Sequence, residues 1–195
     1  MKDISKKTFW QILTLLILLR IVMVFLLMND IPHSGVKMGG WWFYQGGDEK
    51  RYFNLAKSLS QLKVVKEKVT LGYPLFLAPF VWLTGAEDIT GIVKPVFIIK
   101  AFLLFSLSII LIALIAKMIF GNRKIAAFST ALFCFHPYIF YILFHKFGLL
   151  HPGVGLTKGE RAFLFLNWLQ MYSDGFSAFL VFLCFFLFFL EFKKQ

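Results

Sequence analysis

The run from Phe9 to Met28 contains 20 residues with one charge, Arg20. At ~1.5 Å per residue a helix of this length covers about 30 Å, the thickness of a bilayer's hydrocarbon core. A lysine-bearing tail (Lys2, Lys6, Lys7) precedes it, as in a secretory signal. The apolar part is too long for one and has no small-x-small cleavage site, so a retained signal-anchor helix is expected. Similar runs recur at 95–120, 125–144 and 174–191. The chain is 59% hydrophobic, with 26 Phe against 10 acids, more apolar matter than one soluble core of this length uses. The expected fold is all-α: a polytopic helical membrane protein with about four transmembrane helices in a single membrane domain.

Punctuation along the chain supports these bounds. Lys94-Pro95 puts a proline where a helix first turn accepts it. The link Gly121-Asn122-Arg123-Lys124 is short enough to force 95–120 and 125–144 into an antiparallel hairpin. Residues 71–84 are apolar but hold two prolines and are short for a crossing, so an interfacial or re-entrant segment is expected. Basic residues next to the spans favour N- and C-termini on the cytoplasmic side of the cell membrane, with 29–94 and 145–173 as outer loops.

The net charge of +11 could suit nucleic acid. The lysines flank the apolar runs, which points to anionic lipid headgroups and no nucleic-acid partner. Cys134 and Cys184 fall inside predicted spans as small packing residues. His33, His136, His145 and His151 have no zinc-ligand spacing. No Walker motif, dinucleotide fingerprint or internal repeat is present. The Gly-rich stretch before Arg161 carries no recognisable chemistry, and 161–171 is apolar enough for the interface.

The largest outer loop contains "GGDEKRYFNLAK". From Asp48, Tyr52, Leu55, Ala56 and Leu59 recur at helical spacing while Lys50, Lys57 and Lys63 lie elsewhere, which predicts an amphipathic outer-face helix over 48–62. Trp41-Trp42-Phe43-Tyr44 just before it suits the headgroup zone. Asp48 can serve as a helix N-cap and Glu49 as a first-turn charge. Arg20 and Lys100 lie within spans, where a cation is costly. Lys100 is near enough to a span end to snorkel; Arg20 is deeper.

The ordered set of these pieces resembles the N-terminal part of the C-type glycosyltransferases, which include the dolichyl-phosphate-mannose protein mannosyltransferases and the lipid A aminoarabinose transferases. The matching residues are Asp48-Glu49 with Tyr52, Leu55 and Ala56, then Gly72-Tyr73-Pro74-Leu75-Phe76-Leu77-Ala78 with Gly85. The turn Phe120-Gly121-Asn122-Arg123, then His136-Pro137 and Ser173-Asp174-Gly175-Phe176, follow in order. The resemblance implies sugar transfer from a polyprenyl-phosphate carrier to an acceptor hydroxyl on the outer face. It implies catalytic roles for Asp48, Glu49 and Asp174, with Asp48 as general base. Arg20, Arg51, Lys100, Tyr52 and Tyr73 would bind substrate and phosphate, and Asp48 and Asp174 could hold a divalent cation, Mg or Mn; Asp174 could instead orient the acceptor, or serve only as the N-cap of the fourth helix. The expected partners are the polyprenyl-phosphate-linked sugar, membrane lipids, and a second membrane protein supplying the further helices that family members normally have. Two other readings stay open: a noncatalytic membrane subunit or truncated remnant of that fold, and a small transporter or channel subunit.

Overall fold

The computed structural model describes residues 3–30, 36–38, 42–44, 48–63, 71–141 and 174–192. The loop expected at 145–173, with His145 and His151, lies outside the described residues, as do His33 and Trp41. The described chain is almost wholly helical. Its helices are α1 (Lys6–Asp30), α2 (Asp48–Ser60), α3 (Gly72–Thr84), α4 (Thr90–Ile98), α5 (Phe105–Phe120), α6 (Arg123–Tyr141) and α7 (Asp174–Phe192). A six-residue π-helical stretch, Ile99–Leu104, joins α4 to α5 without a break. Two three-residue strands, β1 (Val36–Met38) and β2 (Trp42–Tyr44), pair antiparallel with Lys37 opposite Phe43. This ribbon lies against α4 and is the one departure from an all-helical expectation.

Two helical stretches among the described residues are long and apolar enough to cross a membrane: Lys6–Phe25 of α1 and the 31-residue rod Thr90–Phe120. The rod measures about 46 Å at ~1.5 Å per residue, more than a ~30 Å hydrocarbon core, so it must tilt or protrude if it spans. Helix α3 and Phe176–Phe192 are apolar but shorter. Large apolar side chains face outward on several helices: Leu15 and Leu18 on α1, Trp82 on α3, Phe128 on α6, Phe185 and Phe188 on α7. A water-soluble surface avoids such a distribution, and a lipid-facing one favours it.

One end of the bundle, here the basal end, is closed by polar contacts. Ser5 starts α1 by accepting the Thr8 N–H at 3.0 Å. Gly121, at φ 64°, takes the left-handed conformation that ends α5, and its N–H donates to the Lys117 carbonyl. Asn122 then caps α6, accepting the N–H groups of Lys124 and Ile125. Asp3 completes the lock: its carboxylate accepts the Arg123 backbone N–H at 3.0 Å and the guanidinium at 3.1 Å. The starts of α1 and α6 and the end of α5 therefore share one end.

Two apolar cores follow. Near the basal end Phe9, Leu13 and Leu16 of α1 meet Ile109 and Ala113 of α5 and Ala126 of α6. The alanines here, with buried Cys134, let the helix backbones approach closely. Cys184 on α7 faces outward. At the distal end Phe53 and Ala56 of α2, Tyr73 and Leu77 of α3, and Ile92 and Val96 of α4 form a second core. Lys57 Nζ donates to the Glu87 carbonyl at 3.0 Å and ties α2 to the α3–α4 corner. Gly85 ends α3 at φ 62°.

Two expectations need correction. The rod begins at Thr90 rather than Pro95, so Pro95 lies inside α4. Its lost amide bond and ring clash are met only four residues ahead of the π-helical stretch, where hydrogen bonding is already irregular. Helix α2 ends at Ser60, and Leu62 adopts φ 56°. The expected apolar face is present, with Leu55 and Ala56 buried and Tyr52 and Leu59 packed against the same core, and it is wider than expected, because Glu49 and Phe53 are buried too.

Candidate functional site

The distal end gathers most of the candidate residues. Tyr73 is 3% exposed. Its ring takes Tyr52 edge-on at 5.4 Å, stacks on Phe76 at 5.8 Å, and meets Phe176 at 6.1 Å between centroids. The Lys100 ammonium lies 5.4 Å from the centroid of the same ring. Tyr73 thus links α2, α3, α7 and the π-helical stretch.

Lys100 is wholly buried. It does not snorkel: its long stem stays inside, and the Tyr73 ring face supplies part of the compensation a buried cation needs. It stands second in the π-helical stretch, whose i→i+5 bonding turns its side chains off the α-helical phase. Arg20 is 4% exposed, its guanidinium carbon 4.3 Å from the centroid of Phe105. Phe105 follows Lys100 by five residues on the rod. Both buried cations are therefore seated on aromatic rings near where the π-helical stretch meets α5, with Arg20 the nearer to the basal core.

The two acids at the start of α2 separate. Asp48 is exposed and Glu49 is wholly buried. Glu49 shares a stripe with Phe53 and Ala56 at i, i+4 and i+7, and that stripe packs on α3. A carboxylate with no exposure must be held by polar partners or a proton, so Glu49 has the more demanding environment. Asp48 stands free to meet a solute. Both lie in the first turn, where the helix dipole favours negative charge. Arg51 is exposed and Tyr52 half-buried.

Asp174 is the first residue of α7. Phe176, two residues on, stacks on Phe76 at 4.5 Å, so α7 begins beside the Tyr73 cluster. From there it runs along α5, and Phe182 meets Phe133 of α6 edge-on at 5.5 Å. Asp48, Glu49, Tyr52, Tyr73, Lys100 and Asp174 are in this sense brought to one end of the bundle. Among the described residues no three His, Cys, Asp or Glu side chains converge as a metal-ligand group.

Two features were missed in the sequence. Glu49 had a signal, the 49-53-56 spacing, which competed with the equally regular 48-52-55-59. The aromatic ladder Tyr73–Phe76–Phe80, continued across α7 by Phe176, follows three- and four-residue spacing in α3 but needs α7 to become a cluster. No protein family, no curated protein and no solved structure matches the chain at a significant level.

Proposed function

We propose that the chain is a multi-pass membrane protein of the C-type glycosyltransferase kind, moving a sugar from a polyprenyl-phosphate carrier to an acceptor hydroxyl. In this reading α1, the Thr90–Phe120 rod, α6 and α7 cross the membrane, the basal end is cytoplasmic, and the distal end faces outward. The Asp3–Arg123 pair favours that topology by holding the N-terminus and the α5–α6 turn on one side.

The observation that carries the functional reading is an exposed carboxylate, Asp48, one turn before Tyr52, whose ring meets buried Tyr73, the ring on which Lys100 is seated. An acceptor hydroxyl attacking an anomeric carbon must lose its proton. A positioned carboxylate that takes it contributes about 10²–10⁴-fold, and Asp48 is the acid of its pair that an incoming acceptor can reach. Glu49 then acts as a positioning residue, fixing the first turn of α2 against α3. The departing phosphate gains charge, and in this reading exposed Arg51 contacts it while buried Lys100 and Arg20 add positive potential from inside the bundle. Tyr52 and Tyr73 shape the apolar wall beside them.

A divalent cation needs only one or two carboxylates when water and phosphate complete its shell. In this reading those carboxylates would come from Asp48, exposed at the head of α2, and Asp174, which opens α7 two residues before Phe176 of the same cluster. Such an ion would supply charge neutralisation at the phosphate. Membranes containing the chain, given a polyprenyl-phosphate sugar and an acceptor extract, should transfer sugar above membranes that lack it. No gain with any such donor overturns the proposal.

A further inference from the structure

We propose that the outer face of α1 carries a groove for one anionic phospholipid at the basal end, separate from the distal site. The inference rests on α1 crossing the membrane and not on the transfer reaction. A shallow, open cleft of about 450 Å³ is lined by Lys7, Trp10, Gln11, Thr14, Leu15 and Leu18. Lys7, Gln11, Thr14 and Leu18 follow i, i+4, i+7 and i+11 spacing and so form one stripe along the helix.

The order along the stripe is that of a lipid. A cation stands at the end of the helix, followed by an indole, an amide and a hydroxyl, then two leucines that are each more than half exposed. From Lys7 to Leu18 the helix rises about 16 Å, close to the ~15 Å of one leaflet's hydrocarbon. The Trp10 ring is held edge-on by buried Phe9 at 5.8 Å, and the Thr14 hydroxyl donates to the Trp10 carbonyl at 3.0 Å.

Charge selects the headgroup. Lys6 and Lys7 are both exposed, and Asp3, the acid nearest to them in sequence, is engaged by Arg123. The head of the groove is therefore positive and suits a phosphate with no compensating cation of its own. A second copy of the chain is the poorer occupant: a two-fold axis along the membrane normal would set Lys7 against the partner copy's Lys7, a like-charge contact with no acid on the stripe to relieve it.

The test is native mass spectrometry of the purified full chain, titrated separately with phosphatidylglycerol and phosphatidylcholine of the same acyl chains and without any sugar donor. One phosphatidylglycerol per chain should be retained in preference to phosphatidylcholine. Lys7→Gln should lower that retention about five-fold, the effect of one basic residue near an anionic surface. Gln11→Leu should lower it in the same direction, while Lys117→Gln, a basal cation outside the cleft, should leave it unchanged; circular dichroism checks that each variant is folded. Equal retention of the two lipids, an equal loss in Lys117→Gln, or lipid-free dimers would overturn the proposal. Because no donor is present, failure here is distinct from failure of sugar transfer.

Discussion

The Lys100 ammonium sits 5.4 Å from the centroid of the Tyr73 ring, inside the protein, where π-helical stretch and α3 meet. A cation over an aromatic face gains about 0.5–2 kcal/mol, more as water is excluded. The pair should therefore be energetically coupled. A double-mutant cycle with Lys100→Met and Tyr73→Leu, read by thermal unfolding in detergent, should give a coupling of about that size. Tyr73→Phe keeps the ring and should keep most of the coupling.

Adjacent acids should behave differently. Glu49→Ala empties a wholly buried site between α2 and α3, a loss of about 1–3 kcal/mol. Asp48→Ala removes an exposed first-turn charge and should cost about 0.3–1 kcal/mol through the helix dipole. Comparing unfolding midpoints of the two variants checks the order.

At the α3–α4 corner, the Thr90 hydroxyl and backbone N–H both donate to Asp88 Oδ1. These bonds, the hydroxyl's first, hold the carboxyl below its ordinary value of 3.8. A carboxylate depressed by folding contributes stability that is fully present above that ordinary value and fades as pH falls through the lower folded value. The corner should thus loosen only in acid. Carbon-detected titration of Asp88 should show a midpoint below 3.8, and Thr90→Val should raise it.

Asp3 joins the N-terminal segment to the α5–α6 turn through a backbone N–H and a guanidinium. Both partners are partly exposed, so the ion pair itself contributes at the modest end of the scale. Asp3→Ala should lower stability by about 1 kcal/mol, most of it from the lost helix-start acceptor. Lys124→Ala in the same turn forms no such bridge and should cost less; paired thermal melts decide.

How far the sequence could be read follows from what each feature depends on. Helices α1, α5 and α6 announce themselves by run length, and Gly121-Asn122 announces the turn between the last two, because one residue must reach positive φ and the next must cap. The burial of Glu49 depends on how far the contact with α3 spreads around α2, which the pattern of α2 alone does not fix. The π-helical stretch has no period of its own in the sequence, so the seat of Lys100 and the early start of the rod at Thr90 were hidden. Asp3 acts across 120 positions of chain, a distance at which local pattern says nothing. Among the candidate residues, Arg20 and Lys100 were visible as cations within long apolar runs; the grouping of Tyr52, Phe176 and Lys100 around Tyr73 was a matter of packing.

The most direct measurement of the central claim is sugar transfer from a polyprenyl-phosphate donor by membranes carrying Asp48→Asn beside the unchanged chain. Transfer should fall about 100-fold or more, with equal protein accumulation and equal helical content. Undiminished transfer by Asp48→Asn membranes holding as much folded protein would contradict that claim.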